Sequence, residues 1–258
     1  MSEEEIAASK EALAAVRGTQ RVPGSIPFVP LERMKSAMVD EATGVGEDES
    51  GQMFVSCSVS FPGCSLDMLR WWFCEGCKGS AEYRRWHPGD HFECHWSDGW
   101  YEGKATVSGE IHFVKEALGA DRGSKPMTLR IQFRDPPGDA FALCARVGVK
   151  DAFLGWLDVG HFVHYPVPTP DGFELRSRFW LGDIDLPHDS RLRLCRGLVK
   201  AVANTRAVRA FAARVVDGRE SLFDLGRATY RHATEEFSVL ATFLADAYAK
   251  RAHLRGVN

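Results

Sequence analysis

Between Leu222 and His253 the chain has no proline, and its apolar residues recur at spacings of three and four. That periodicity predicts one long helix with an apolar face. Such a helix needs a broad apolar surface to lie on, because most helical stability in proteins comes from packing one face. The preceding sequence offers that surface. From about 50 to 182, the runs Met53–Val59, Ala105–Phe113, Met127–Phe133, Phe141–Val147, Gly160–Tyr165 and Phe173–Leu181 are separated by Gly, Pro and Asp. Several are rich in β-branched and aromatic residues, which predicts strands. Strands first and helices after predicts an α+β domain rather than alternating βαβ units. A long terminal helix laid across a curved antiparallel sheet buries both apolar faces at once.

Other segments fit around this frame. Residues 65–79 predict a helix starting near Ser65 or Asp67, and Arg191–Val216 predicts another, set off from the last by Asp217-Gly218. Residues 3–17, rich in Ala, Glu and Lys, predict an N-terminal helix, and Pro23, Pro27 and Pro30 then carry an extended connector. The expected division is an N-terminal helix and connector over 1–45 and a main domain over 46–258.

Composition excludes several classes of partner. A formal charge of -3 and a pI near 6.3 give no electrostatic footprint for nucleic acid or an anionic membrane. The acidic start Met1-Ser-Glu-Glu-Glu lacks the basic and apolar regions of a signal peptide, and no run approaches a membrane-spanning helix. Seven cysteines, an odd number in a long chain, point to reduced thiols and a cytoplasmic protein.

Chemistry can sit in four places. Tyr83-Arg84-Arg85-Trp86-His87-Pro88-Gly89-Asp90-His91 is followed by Glu93, Cys94 and His95. Imidazole binds borderline metals, and a nearby carboxylate can orient its second nitrogen, though histidines in a packed turn are often just satisfied polar groups. His232 and Glu236 stand at i and i+4, on one face of the last helix. Such pairs are common on solvated faces; here Phe237, Leu240, Ala241 and Leu244 turn part of the helix inward, where a lone carboxylate would be costly. Glu110 and His112 share a strand face, with Glu116 at the strand's end. His161 and His164 have opposite parity on a strand, so one of the two faces any cavity. Cys74-x-x-Cys77, with Cys94 and His91 or His95, is a competing structural-zinc set; helical cysteines in a tryptophan-rich segment are usually packing. Signatures of a serine hydrolase, a P-loop enzyme and a zincin protease are missing.

Taken together, Met68-x-x-Trp71-Trp72-Phe73, Tyr83-x-x-Trp86-His87-Pro88-x-Asp90-His91, Arg176-Ser177-Arg178-Phe179-Trp180-Leu181-Gly182 and His232-x-x-x-Glu236-x-x-x-Leu240-Ala241-x-Phe243-Leu244 resemble the diacetylphloroglucinol hydrolase and phloretin hydrolase family, in order, over about residues 50–250. The resemblance implies a Bet v 1-like (START-like) helix-grip fold with an internal cavity. It also implies one zinc (Zn2+) held by two His and two Glu, and hydrolysis of an acyl–aryl carbon–carbon bond. Carried over by position, His91, His232 and Glu236 match zinc ligands, and Glu116 matches the fourth, with Glu110 in reserve. Tyr83 matches a pocket tyrosine for a ring hydroxyl, and His164, ahead of His161, a catalytic or substrate-binding histidine. The sequence departs from the family in two respects: the spacing before Glu116 is shorter, and a second pocket tyrosine is replaced by Phe179 or moved to Tyr165. The expected partner is a small polyphenolic ketone, with no nucleic acid, no membrane and a homodimer left open. A carrier that binds an aromatic in the same cavity without chemistry is the alternative.

Overall fold

The computed structural model describes residues 2–34, 42–101, 104–136, 141–151, 155–187, 190, 192–217 and 221–255. Helix α1, Glu3–Thr19, is capped by Ser2, whose hydroxyl accepts from the Glu5 N–H while the Glu5 carboxylate accepts from the Ser2 N–H. Strands β1, Gly44–Glu47, and β2, Met53–Pro62, follow. Helix α2, Leu66–Trp71, starts at Ser65, whose hydroxyl caps Met68 N–H.

The predicted helix over 65–79 does not run through. It widens into a π-turn over Trp72–Gly76, where Cys77 N–H reaches Trp72 O, five residues back, at 2.8 Å. A Cβ on Gly76 would stand 2.9 Å from the Trp72 ring and 3.0 Å from that of Trp71, so the packed indoles demand glycine there. Helix α3, Ser80–Trp86, and strand β3, His91–Trp96, come next, and the sequence pattern did not announce either. His91 therefore opens a strand instead of sitting in a loop. Strand β4 is Ile111–Glu116 rather than 105–113, because Glu110 N–H turns back to Val107 O and Gly109 takes φ +84°. Glu110 thus precedes the strand and does not share its face with His112.

The remaining strands are β5, Met127–Arg134; β6, Leu143–Asp151; β7, Gly155–Thr169; and β8, Gly172–Asp185. All eight pair antiparallel in the order β1-β2-β8-β7-β6-β5-β4-β3. The stretch expected as one helix over 191–216 is two, α4, Arg196–Ala203, and α5, Arg206–Asp217. Asn204 interrupts it: its side chain bonds both Ile184 N–H (2.9 Å) and Ile184 O (2.7 Å) at the end of β8. The expected break at Asp217-Gly218 falls partly on Gly218, outside the described residues.

Helix α6, Leu222–Arg255, lies across β1, β2 and β8. Its Phe237, Leu240 and Leu244 are fully buried in the main core; each such side chain stabilises by roughly 1.5–3 kcal/mol. An antiparallel sheet wrapped on a long terminal helix is the Bet v 1-like helix-grip arrangement. All seven cysteines are free thiols, six of them buried. Among the described residues, no helix is long and apolar enough to cross a membrane.

Candidate functional site

A cavity of about 170 Å³ lies between the sheet and α6. Val114, Leu129, Ile131, Phe133, Val147 and Phe162 supply much of its apolar wall. Tyr83, His112, Glu116, His164, His232 and Glu236 bring polar groups to it. An apolar pocket with a few convergent polar groups suits a small aromatic ligand.

At one end, three chain segments converge. His91 opens β3, Glu116 ends β4, and the two are directly paired across the strands. His232 and Glu236 come from one face of α6. His91 Nε2 lies 3.3 Å from His232 Nε2, 3.6 Å from Glu236 Oε2 and 3.9 Å from Glu116 Oε2. His91, His232 and Glu236 are all buried and offer ligand atoms within 4.8 Å of one another.

The tautomers of both histidines follow from their other nitrogens. His91 Nδ1 faces the Tyr83 carbonyl at 2.9 Å, so it must donate. His232 Nδ1 faces Asp90 Oδ2 at 3.2 Å, and Asp90 also accepts from Gly119 and Ala120 N–H at 2.8 Å each. These bonds, with the His232 and His87 charges, outweigh burial and hold the Asp90 carboxyl well below the usual carboxylate range. Both Nε2 atoms then face each other across 3.3 Å in a buried site. Two acceptors so placed repel unless a proton or a cation lies between them.

Without a metal, a proton on His232 fills this gap, and its Nε2–H donates to the neutral His91. Burial, followed by the His232 charge, pushes His91 well below its ordinary value. Burial opposes charge on His232, yet the Asp90 hydrogen bond and the Glu116, Glu236 and Asp90 charges push it up to about 9. Burial pushes Glu236 up to about 8, against the pull of His232. A tetrahedral zinc with nitrogen and oxygen ligands at roughly 2.0–2.2 Å has edges of about 3.4 Å. The separations from His91 Nε2, 3.3, 3.6 and 3.9 Å, are near that edge length, although the set within 4.8 Å of one another holds His91, His232 and Glu236 without Glu116. The residues present fit a borderline divalent metal.

Tyr83 binds this corner in three ways. Its ring stacks on His91 at 3.8 Å and 3°, its carbonyl fixes the His91 tautomer, and its hydroxyl donates to Glu116 Oε2. Burial and then the Glu116 charge push its phenol well above the ordinary value, so it stays protonated. In this structure its hydroxyl is committed to Glu116, a partner that the sequence reading did not foresee.

Of the two β7 histidines, His164 faces the cavity, with Nδ1 2.9 Å from Ser177 Oγ. Burial pushes it down to about 3, so it is neutral. His161 lies on the opposite face, 2.7 Å from Asp183 Oδ2. Glu110 is also elsewhere, accepting from Ser97 Oγ at 2.8 Å and from Lys104 Nζ. Phe179 lines the cavity beside His164, whereas Tyr165 packs in a separate cluster on the far side.

A supporting layer was not foreseen from sequence. His87 accepts from Asp90 N–H through Nδ1, stacks on His232 at 4.9 Å, and places Nε2 3.2 Å from Glu235 Oε2. Arg17 from α1 donates to the same Glu235 oxygen at 2.9 Å. The adjacency of Asp90 to His91 and of Glu235 to Glu236 was a signal, but only the fold shows which neighbour each one supports. Of the cysteines in the competing zinc set, Cys77 and Cys94 meet His112, whereas Cys74 and the exposed His95 lie apart from that group. Cys94 is pulled down to about 6 by a hydrogen bond from Cys77, with burial opposing and His112 assisting.

The family model for the DAPG hydrolase PhiG domain matches residues 32–249. The chain is 27% identical to a 2,4-diacetylphloroglucinol hydrolase of Pseudomonas protegens, over 92% of this chain and 79% of that protein. It is 24% identical to the phloretin hydrolase of Eubacterium ramulus, over 93% of this chain and 84% of that one. Among solved structures it is similar to Ara h 8.0201, at 11% identity and a TM-score of 0.33, over 71% of this chain and 99% of that one.

Proposed function

The chain belongs to the DAPG hydrolase family, and from that premise we propose that it is a zinc-dependent hydrolase of acylated polyphenols. It cleaves the carbon–carbon bond between an acyl group and a polyhydroxylated ring, acylphloroglucinol or dihydrochalcone in type, and releases a carboxylic acid and the deacylated phenol. The observation that carries this reading is the convergence of the buried His91 and His232 Nε2 atoms, 3.3 Å apart, with Glu236 and Glu116 beside them at the wall of an apolar cavity.

His91, His232, Glu236 and Glu116 would hold the zinc. When bound, it supplies a Lewis acid for an oxygen of the substrate or of water. Two carboxylates balance its charge, so the complex is neutral in a site where net charge is costly.

An aryl anion is a very poor leaving group. A ring hydroxyl flanking the acyl carbon opens another route: its proton moves to that ring carbon, which becomes tetrahedral, and the ring becomes a keto tautomer. Water then adds to the acyl carbonyl carbon, the carbon–carbon bond breaks, and its electron pair enters the ring as an enolate. Regaining the aromatic phenol follows. The apolar walls hold the ring and limit bulk water.

His164 is the cavity imidazole suited to bond a substrate oxygen or the attacking water, with Ser177 fixing its ring through Nδ1. Held down to about 3 by burial, it acts as a neutral hydrogen-bonding group rather than a strong base. Tyr83 stays protonated and positions His91 and Glu116. A substrate phenol that competes for Glu116 would meet the Tyr83 hydroxyl as well.

The test combines chemistry and metal content. Purified protein is incubated with an acylphloroglucinol and a dihydrochalcone, with and without chelator, and the products are separated. Acid and deacylated phenol should form only in the metal-replete sample. His232→Ala and Glu236→Ala should stay folded, lose zinc, and lose turnover by on the order of 10²–10³-fold, the size expected for losing a strong electrostatic stabiliser. Ligand binding with no product across the panel would instead describe a carrier. Full zinc content in both variants would refute this ligand set.

A further inference from the structure

Tyr83 also touches a second cluster of side chains able to bind a metal, through His112. Cys77 follows the π-turn, Cys94 lies on β3, and His112 lies on β4. Cys94 is paired with Val114, so His112, two residues away on the same face, is its diagonal neighbour. One ligand atom from each of the three residues lies within 4.8 Å of the other two. Relative exposures are 2% for Cys77, 7% for Cys94 and 5% for His112.

The His112 ring is held tightly. Trp96 stacks on it at 4.1 Å and 10°, and Tyr83 meets it edge-on at 5.8 Å. Its Nε2 is buried without an oxygen or nitrogen partner, and the Cys94 thiol is the hydrogen-bonding group beside the ring. The two cysteine segments are pinned as well. Trp96 Nε1 donates to Cys77 O at 2.9 Å, and Ser80 Oγ accepts from Cys94 N–H at 2.9 Å.

We propose that Cys77, Cys94 and His112 form a second metal site, distinct from the His91–His232–Glu236 centre, for a thiophilic divalent ion of the zinc class. Sulfur and nitrogen ligands at about 2.3 and 2.0–2.1 Å stand roughly 3.5–3.8 Å apart around a tetrahedral ion. The three donors need to close by an ångström or so at most from their present outer limit of 4.8 Å. Two thiolates and one neutral imidazole cancel a divalent charge, which suits a buried site packed against Trp96 and Tyr83. Soft sulfur donors select zinc-like ions over magnesium or calcium. Three protein ligands leave one position free, and His112 also lines the cavity. The set differs from the Cys74-based one because Cys74 lies apart from the group.

Cobalt(II) distinguishes the two centres, because only the second has sulfur ligands. The full chain, kept reduced with a phosphine, is titrated with cobalt and followed by absorption and metal analysis. About two equivalents should bind, and a thiolate-to-cobalt charge-transfer band should accompany one of them. Cys94→Ser should abolish the band and one equivalent. His232→Ala should remove the other equivalent and keep the band, so failure of the proposed catalytic centre reads differently. Should Cys94→Ser fail to fold, His112→Gln is the second variant, and it should weaken cobalt binding in the band-forming step at least tenfold. Reduced wild type saturated with cobalt but lacking the band overturns the proposal, as does a Cys94→Ser chain that retains it.

Discussion

Two buried polar clusters sit on opposite faces of the same sheet, and they solve the problem of buried charge in opposite ways. On the cavity face, Asp90, Glu116 and Glu236 surround His91 and His232, and the nearest permanent cation to Asp90 is Arg17, 4.0 Å away. On the other face, Arg130 and Arg146 approach Asp158 at 2.8 and 3.1 Å. Asp185 receives a two-pronged bond from Arg196 at 2.8 and 2.7 Å, and Asp183 lies 3.4 Å from Arg146. Three arginines meet three aspartates there, so fixed charges close the account. The cavity cluster lacks such closure and gathers three carboxylates around two imidazoles. Burial alone does not mark a functional site; incomplete internal compensation beside a cavity does.

This contrast can be broken by substitutions that act on one cluster and not the other. Asp158→Asn leaves two buried guanidinium groups short of a charge. It should cost about 3 kcal/mol in urea unfolding, toward the low end for a broken buried pair because Asp183 and Asp185 remain near Arg146. Turnover per folded molecule should change little; a large loss of zinc with normal stability would erase the distinction between the faces.

Asp90→Asn tests the other cluster. It keeps the shape but weakens the carboxylate that fixes His232 Nδ1. Zinc affinity, from competition with a chromogenic chelator, should fall about 10–100-fold. Unchanged affinity would mean that Asp90 serves the fold through Gly119 and Ala120 alone.

The smallest effect concerns acid. Burial raises the Asp185 carboxyl, but the Arg196 and Leu186 bonds prevail and move it from its ordinary 3.8 to about 2. A depressed carboxylate contributes stability that is present above its unfolded value and lost as pH falls through the folded one. The stability gap between wild type and Asp185→Asn should therefore be full above pH 3.8 and shrink toward pH 2, by about 1–2 kcal/mol. A gap that does not change with pH would assign the Asp185 contribution to shape rather than charge.

Much of the architecture was legible in the chain because periodicity is a local property. The 3.6-residue pattern of α6, the alternation in β5 to β8 and the Ser65 cap each depend on near neighbours. The opposite facing of His161 and His164 follows from the same local parity. What local pattern missed has a common cause. β3 and α3 are short and sit among charges and aromatics, so neither period is clear. The break at Asn204 answers to Ile184, twenty residues away.

For the site, the sequence by itself determined the residue types on offer and the helical pairing of His232 with Glu236, because an i,i+4 spacing fixes a face wherever the helix lies. Tertiary structure alone decided that His91 and Glu116 are cross-strand partners, that Glu110 is turned toward Lys104, and that Cys77 and Cys94 meet His112 instead of following Cys74. The physical reason is register. Which side chains stand opposite one another across strands depends on hydrogen bonds between segments far apart in the chain, and no spacing within a single segment encodes them.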